Sequence, residues 1–548
     1  MLSKILNSVR SFVVTHRDVL FITLILAVVN IPYVVNIQQD LLTEPVANPI
    51  VCHDEAAFGM NAKDILLFGY NSLAHDRIYV LGLFNMVAAL ISFFIFGISL
   101  ASLRLPYIIL NIIGNIVFFD FLRRCVGKKI ALVVTCLFAL FFSRLVIGKS
   151  AMAEAGILPA LLILSWVMPF VFRRVSLYFF LGFLSTLAGI NKPDNLVVLF
   201  FLAAYAFIDD ASEKKASQNG ALFIRMRWLF FGWGAMILLW AIYIGFIGFG
   251  RYLFYYKFEL LFDNIRVLRF GFYGNPGTFE LIKNNIVKLW QRDPLFTALT
   301  AVLVIWAGAY SLFDRGALRN PIIRAGLLFL GLFIFKIMFS SYLIGQWRFA
   351  PCYPLPFLAL AYICPVLLKL SEASSRSNYL KRSYFWGSVF LGICVLFFVS
   401  PLVYKTAQLT RKLIFQPSYK IVRNVEHLRK IIDSRSRVVF AEGHFTYCAL
   451  FLPNKCYDVV PNPQAKDFDT LESDPLKIWG IIQSDKQIAY LMVRPVNKAA
   501  MNFVNSMPGA QLVIADALPF DAGYVYQIRW PQDIKGASPK FLGRWEQK

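Results

Sequence analysis

The chain has 548 residues, 58% of them hydrophobic and 16% charged, with a mean hydropathy of +0.60. Water-soluble domains carry about a quarter charged residues, so the composition excludes an ordinary soluble enzyme and points to a polytopic α-helical membrane protein. The net charge of +23 is not gathered into one patch with interleaved aromatics, which argues against a nucleic-acid partner; the basic residues stand between apolar runs, where they set membrane orientation.

The N-terminus has a basic start, Lys4, Arg10 and Arg17, followed by an apolar run without a small-x-small cleavage site. It reads as an uncleaved signal anchor. Apolar runs long enough to cross about 30 Å of hydrocarbon follow near 19–36, 105–122, 130–147, 155–172, 175–190, 193–208, 228–249, 293–313, 322–343, 353–370 and 384–404. The segment 79–100 is apolar enough to be another. The short basic loop "RRCVGKK" (123–129) and the N-terminus should both be cytoplasmic, and the runs at 19–36 and 105–122 already supply the two crossings that join them. Segment 79–100 is therefore either a membrane-associated helix on the outer side or a stretch that turns back on itself. The same alternation puts "FRRVS", "DDASEKKASQNGALFIRMR", "FDRGALRNPIIR" and "KLSEASSRSNYLKR" inside. The six inner segments hold twenty Lys and Arg against six acidic residues. About eleven spans, N-terminus in and C-terminus out, satisfy the positive-inside rule.

Past residue 404 the texture changes. Short β-rich runs alternate with polar helical stretches and turn signals, an α/β pattern in a segment long enough for its own small core. The expected organisation is a transmembrane catalytic domain over 1–404 and an extracytoplasmic α/β domain over 405–548. The latter has no Asn-x-Ser/Thr sequon, which favours a bacterial periplasm, and hence the inner membrane, over a reticulum lumen. None of the eight cysteines forms a CxxC pair. Cys125, Cys136, Cys364 and Cys394 read as packing residues in or beside spans. Cys448 and Cys456 would pair in a disulfide if the C-terminal part faces an oxidising compartment.

Given this orientation, carboxylates and cations gather at outer span ends. Asp54 and Glu55 lie in the first outer segment, Glu154 at the entry to the run near 155–172, Lys192 and Asp194 in "AGINKPDNLVV", and Arg348 in "GQWRFAPCYPLP". The long outer segment 250–292 adds aromatics and more cations. A carboxylate takes a proton from an incoming nucleophile, and Lys or Arg stabilises charge on a departing phosphate; the set suits a reaction on a lipid-linked phosphate. Taken singly, the acidic pair also fits solvated loop charges, and Lys192 and Arg348 fit interfacial anchors. Lys336 lies within an apolar run, where a charge costs about 2.5–3.5 kcal/mol; it either reaches a lined cavity or snorkels outward. His53 and His75 have no helical partner at metal-ligand spacing, so a divalent metal has no supporting ligand set. "RLVIGKS" (144–150) lacks the first glycine of a phosphate-binding loop, and the glycines of "GFIGFG" (245–250) read as close helix packing.

In order along the chain, "HDEAAFGMNAKDILLFGY", "LRLPYIILNIIGN", "RRCVGKK", "AMAEAGILPALL", "TLAGINKPDNLVVLF" and "WRFAPCYPLPFLALA" resemble the motifs of GT-C glycosyltransferases. The nearer group is that of the protein O-mannosyltransferases and lipid A aminoarabinose transferases. The resemblance covers roughly residues 50 to 370. It implies a GT-C-like membrane fold with outer juxtamembrane helices and a metal-independent or weakly metal-linked inverting transfer. The sugar would pass from a polyprenyl-phosphate-linked donor to a glycolipid, lipopolysaccharide or protein acceptor at the outer face. By position, Asp54 would be the general base, Glu55 or Glu154 would orient acceptor or sugar, and Lys192 and Arg348 would hold the donor phosphate. The family's proline-rich stretch is replaced here by "NSLAHDRIYV", and Glu154 stands where many members have Asp. Two other classes share the many spans and outer cations: a non-enzymatic flippase of lipid-linked glycans, and a surface-polysaccharide polymerase or ligase. Internal repeats, common in transporters, are not seen.

Overall fold

The computed structural model describes residues 21–28, 50–69, 83–141, 177–191, 220–246, 278–313, 320–339, 352–373, 420–440, 452–454, 456–458, 488–493, 510–514 and 524–528, with a few isolated positions such as Phe349. The chain forms two compact units. One comprises Met1–Asn48 and Arg104–Pro417, the other Pro49–Leu103 and Ser418–Lys548. The first outer segment of the sequence thus belongs to the same unit as the C-terminal part.

In that second unit, α1 (Ile50–Phe68) and α2 (Leu83–Phe96) pack side by side. At 1.5 Å per residue, α2 is about 21 Å long, short of a span. Its described residues form one helix, and residues 79–82 lie outside the described residues. Met86, Ala89 and Phe93 are buried, whereas Ile91, Phe94, Ile95 and Phe96 are exposed, Phe94 at 81%. Gly97, at φ +78°, ends the helix in the left-handed conformation that glycine adopts without strain, and its N–H donates to Phe93 O. The Ser99 hydroxyl then accepts from Ser102 N, an N-cap for the following helix α3 (Leu100–Val126).

 The first unit holds most of α3 and the described helices that follow it.

These are α4 (Lys128–Ala139), α5 (Leu177–Asn191), α6 (Gly220–Phe246), α7 (Thr278–Arg292), α8 (Pro294–Phe313), α9 (Pro321–Phe339) and α10 (Pro354–Ala373). Three described helices are long and apolar enough to cross a membrane: Leu100–Val126, Phe223–Tyr243 and Pro321–Met338. The expected runs at 105–122, 228–249 and 322–343 coincide with these. The runs near 155–172 and 193–208 lie outside the described residues, and those near 19–36 and 384–404 lie mostly outside them. The basic loop 123–129 is a tight turn between α3 and α4, made by Gly127 at φ +82°. Asp120 accepts from both Arg123 and Arg124 (2.5 and 2.9 Å), so part of that basic charge is neutralised locally. Helix α6 starts earlier than hydropathy suggests, and its first turns carry Arg225 and Arg227, which lie over the Tyr178 and Phe231 rings. Helices α5 and α6 pack through facing glycines: a Cβ at Gly182 would run into the Leu229 carbonyl, and one at Gly232 into the Phe179 carbonyl. Small residues at that interface let membrane helices approach closely.

The second unit resumes with α11 (Lys420–Ile431), which buries Val425 and Leu428. The strands are β1 (Arg437–Phe440), β2 (Cys456–Asp458), β3 (Ile488–Val493), β4 (Ala510–Ile514) and β5 (Tyr524–Ile528), in the order β2-β1-β3-β5-β4. β1 is parallel to β2 and β3, and β5 is antiparallel to β3 and β4. Val438, Val439 and Leu491 are fully buried, as the central strands of a covered sheet require. Cys456 is buried in β2, with its Sγ 3.4 Å from Asn454 O; Cys448, with which the sequence would pair it, lies outside the described residues.

Candidate active site

Asp54 and Glu55 lie on α1, just beyond its first turn. What fixes this helix is its middle. Met60, Asn61, Ala62, Lys63 and Asp64 are all buried. The Lys63 ammonium donates to Leu452 O at 3.1 Å and Asn454 O at 3.0 Å, and stands 3.7 Å from Asp64. Asn454 in turn donates to Asp433 O and Ser436 O, at the turn between α11 and β1. The helix bearing the acidic pair is thus tied by hydrogen bonds to the sheet unit. Reasoning from sequence missed Lys63, because its partners are backbone carbonyls 389 and 391 residues away.

Beside this anchor the second unit has a cavity of about 410 Å³, lined by Lys63, Leu67, Ile98, Arg429, Ile432 and Leu452. Its walls are mainly apolar.

Of the other expected site residues, Glu154, Lys192, Asp194 and Arg348 lie outside the described residues. The described chain reaches two of their neighbours: α5 ends at Asn191, next to Lys192, and Phe349 follows Arg348. Phe349 is buried and packs on Phe333, with centroids 5.6 Å apart. Phe333 packs on Phe296 at 6.0 Å, Phe296 on Tyr353 at 5.0 Å, and Tyr353 on Phe141 at 5.2 Å. This aromatic cluster ties α8, α9 and the start of α10 together. Asp293 stands among it, accepting from Phe296 N at 3.2 Å as the cap of α8 and from the Tyr353 hydroxyl at 3.5 Å. The signal was present in the sequence: Asp followed by Pro before an apolar run marks a helix start.

Lys336, in the last turn of α9, is 3% exposed. Burial pushes the Cys352 thiol up to about 12, and the nearby Lys336 charge offsets part of that rise. Among the described residues no group of three His, Cys, Asp or Glu is placed to hold a metal ion.

No protein-family model matches the chain, and no curated protein matches it by sequence. Solved structures do match by fold. ArnT from Cupriavidus metallidurans bound to undecaprenyl phosphate superposes with a TM-score of 0.59 at 13% identity, covering 94% of this chain and all of that one. The same protein in the apo state gives 0.54 at 14% identity, covering 93% and 99%. The archaeal oligosaccharyltransferase AglB from Archaeoglobus fulgidus, in complex with an inhibitory peptide and a dolichol-phosphate, gives 0.47 at 11% identity, covering 86% and 69%. The chain shares its overall fold with these ArnT structures.

Proposed function

We propose that the chain is a membrane glycosyltransferase that moves a sugar from a polyprenyl-phosphate-linked donor to a glycolipid, lipopolysaccharide or protein acceptor at the outer face of a bacterial inner membrane. The observation that carries this reading is the match over nearly the whole chain to ArnT, a fold whose solved example holds undecaprenyl phosphate. The acidic pair on α1 supports it from the chemistry. The acceptor hydroxyl attacks the anomeric carbon of the donor sugar. A new carbon–oxygen bond forms as the bond to the phosphate oxygen breaks, and polyprenyl phosphate departs with that electron pair. The hydroxyl proton passes to Asp54, the general base of this reading. Glu55 or Glu154 orients acceptor or sugar. Lys192 and Arg348 hold the phosphate and stabilise its growing charge. Helix α2, apolar on its exposed side, lies along the membrane surface beside the entry of the lipid-borne donor.

The test is a purified, bilayer-embedded protein offered a panel of polyprenyl-phosphate sugars, with release of polyprenyl phosphate followed. The reading expects one donor to be consumed when acceptor is present. If no donor in the panel is bound or consumed, the reading is wrong.

A further inference from the structure

Helix α7 keeps Asn285 and Leu289 buried and turns Ile286, Val287 and Trp290 outward, Trp290 at 55% exposure. At about 100° of rotation per residue, these three share one side of the helix with Lys283. Glu280, Asn284, Lys288 and Gln291, all exposed, lie on the next side round. The helix thus has three faces: one packed on the protein, one polar, and one apolar yet uncovered. The surface helix of a soluble domain turns its apolar stripe to the core; here the core has its own face, and a second apolar one points away from it.

The place of α7 in the fold says what covers that face. The Asn285 side chain donates to Ile337 O at 2.9 Å, in the last turn of α9, a helix long and apolar enough to cross a membrane. The exposed side of α9, Leu327, Ile334 and Met338, meets lipid in such a helix, and Met338 adjoins the residue that takes the Asn285 bond. The chain turns by 115° from α7 into the apolar α8, so α7 runs across α8 instead of continuing it. An apolar helix face that continues a lipid-facing surface at the end of a span meets the boundary of headgroups and acyl chains. Tryptophan is enriched at that level. Lys283, set among the apolar residues, can lay its stem in the apolar layer and hold its ammonium among headgroup phosphates. We propose that α7 is an interfacial membrane-binding helix, its Ile286, Val287 and Trp290 face inserted in the leaflet at that end of α9, the outer leaflet in the proposed orientation. This contact holds whatever sugar donor the protein uses.

The experiment places single spin labels on Val287→Cys, Trp290→Cys, Asn284→Cys and Gln291→Cys, in the full chain without other reactive thiols. The protein is held in nanodiscs of phosphatidylcholine and phosphatidylglycerol. Two relaxing reagents are compared at each position: oxygen, which concentrates in the acyl layer, and a nickel chelate, which stays in water. The labels at Val287 and Trp290 should favour oxygen, at a depth of about 5–10 Å into the headgroup–acyl boundary, and those at Asn284 and Gln291 the nickel chelate. Ile286→Cys replaces either apolar variant if that one does not fold. Nickel access at Val287 and Trp290 equal to that at Asn284 puts the face in water and overturns the proposal. Exclusion of both reagents there means that protein covers the face, another segment of this chain or a second copy, and overturns it equally.

Discussion

Lys63 has its ammonium on two carbonyls of the sheet unit and beside the buried Asp64. Lys63→Met removes the cation but leaves those acceptors and the carboxylate in place, and breaking such a buried pair typically costs about 3–5 kcal/mol. Denaturant unfolding of the purified protein should show a loss of that size; a change within about 0.5 kcal/mol, typical of a surface site, would mean the anchor carries no stability. Cys352 gives a second prediction at this scale. The thiolate is the reactive form, and a buried thiol whose pKa is raised to about 12 should resist alkylation at neutral pH until the protein is unfolded. Rapid labelling of Cys352 in the folded protein, read by mass spectrometry, would contradict its placement. The acidic pair Asp54 and Glu55 stands out as a candidate in the sequence because carboxylates side by side after an apolar run are a local signal. Lys63 does not, since nothing near residue 63 announces a partner beyond residue 450.

Among elements, the α5–α6 pair depends on two glycines set against backbone carbonyls. Gly232→Ala drives a methyl into the Phe179 carbonyl and forces the helices apart, at a cost of about 1–3 kcal/mol for overpacking. Gly234→Ala, two residues on in the same helix, meets open space and should be neutral or slightly stabilising, since alanine is the better helix former. Thermal unfolding in detergent compares the two; equal effects would show that α5 and α6 do not meet at these glycines. Long apolar helices such as α3 and α9 were readable from hydropathy alone. Helix α7 was not, because its charged and aromatic residues made 250–292 look like an extended outer segment, although Ile286, Val287 and Trp290 give it an apolar exposed side.

At the scale of the whole molecule, linear order and spatial grouping differ. Composition divides the chain near residue 404, whereas contacts place Pro49–Leu103 with Ser418–Lys548, a grouping made by long-range hydrogen bonds and packing that no local pattern encodes. The membrane orientation is testable directly. Single cysteines at Ser217 and Ser538, in a background without other reactive thiols, should behave oppositely toward an impermeant thiol reagent on intact cells, Ser538 being labelled and Ser217 protected. The reverse would overturn the topology. The central claim, sugar transfer from a lipid-linked phosphate using the acidic pair on α1, is met most directly by the rate of polyprenyl phosphate release in wild type and Asp54→Asn. General-base assistance is worth about 10²–10⁴-fold. Asp54→Asn should therefore lose kcat by that order, with the protein folded and donor affinity largely unchanged, the pattern of an interaction made in the transition state. Release at the wild-type rate from a folded Asp54→Asn protein would contradict the account.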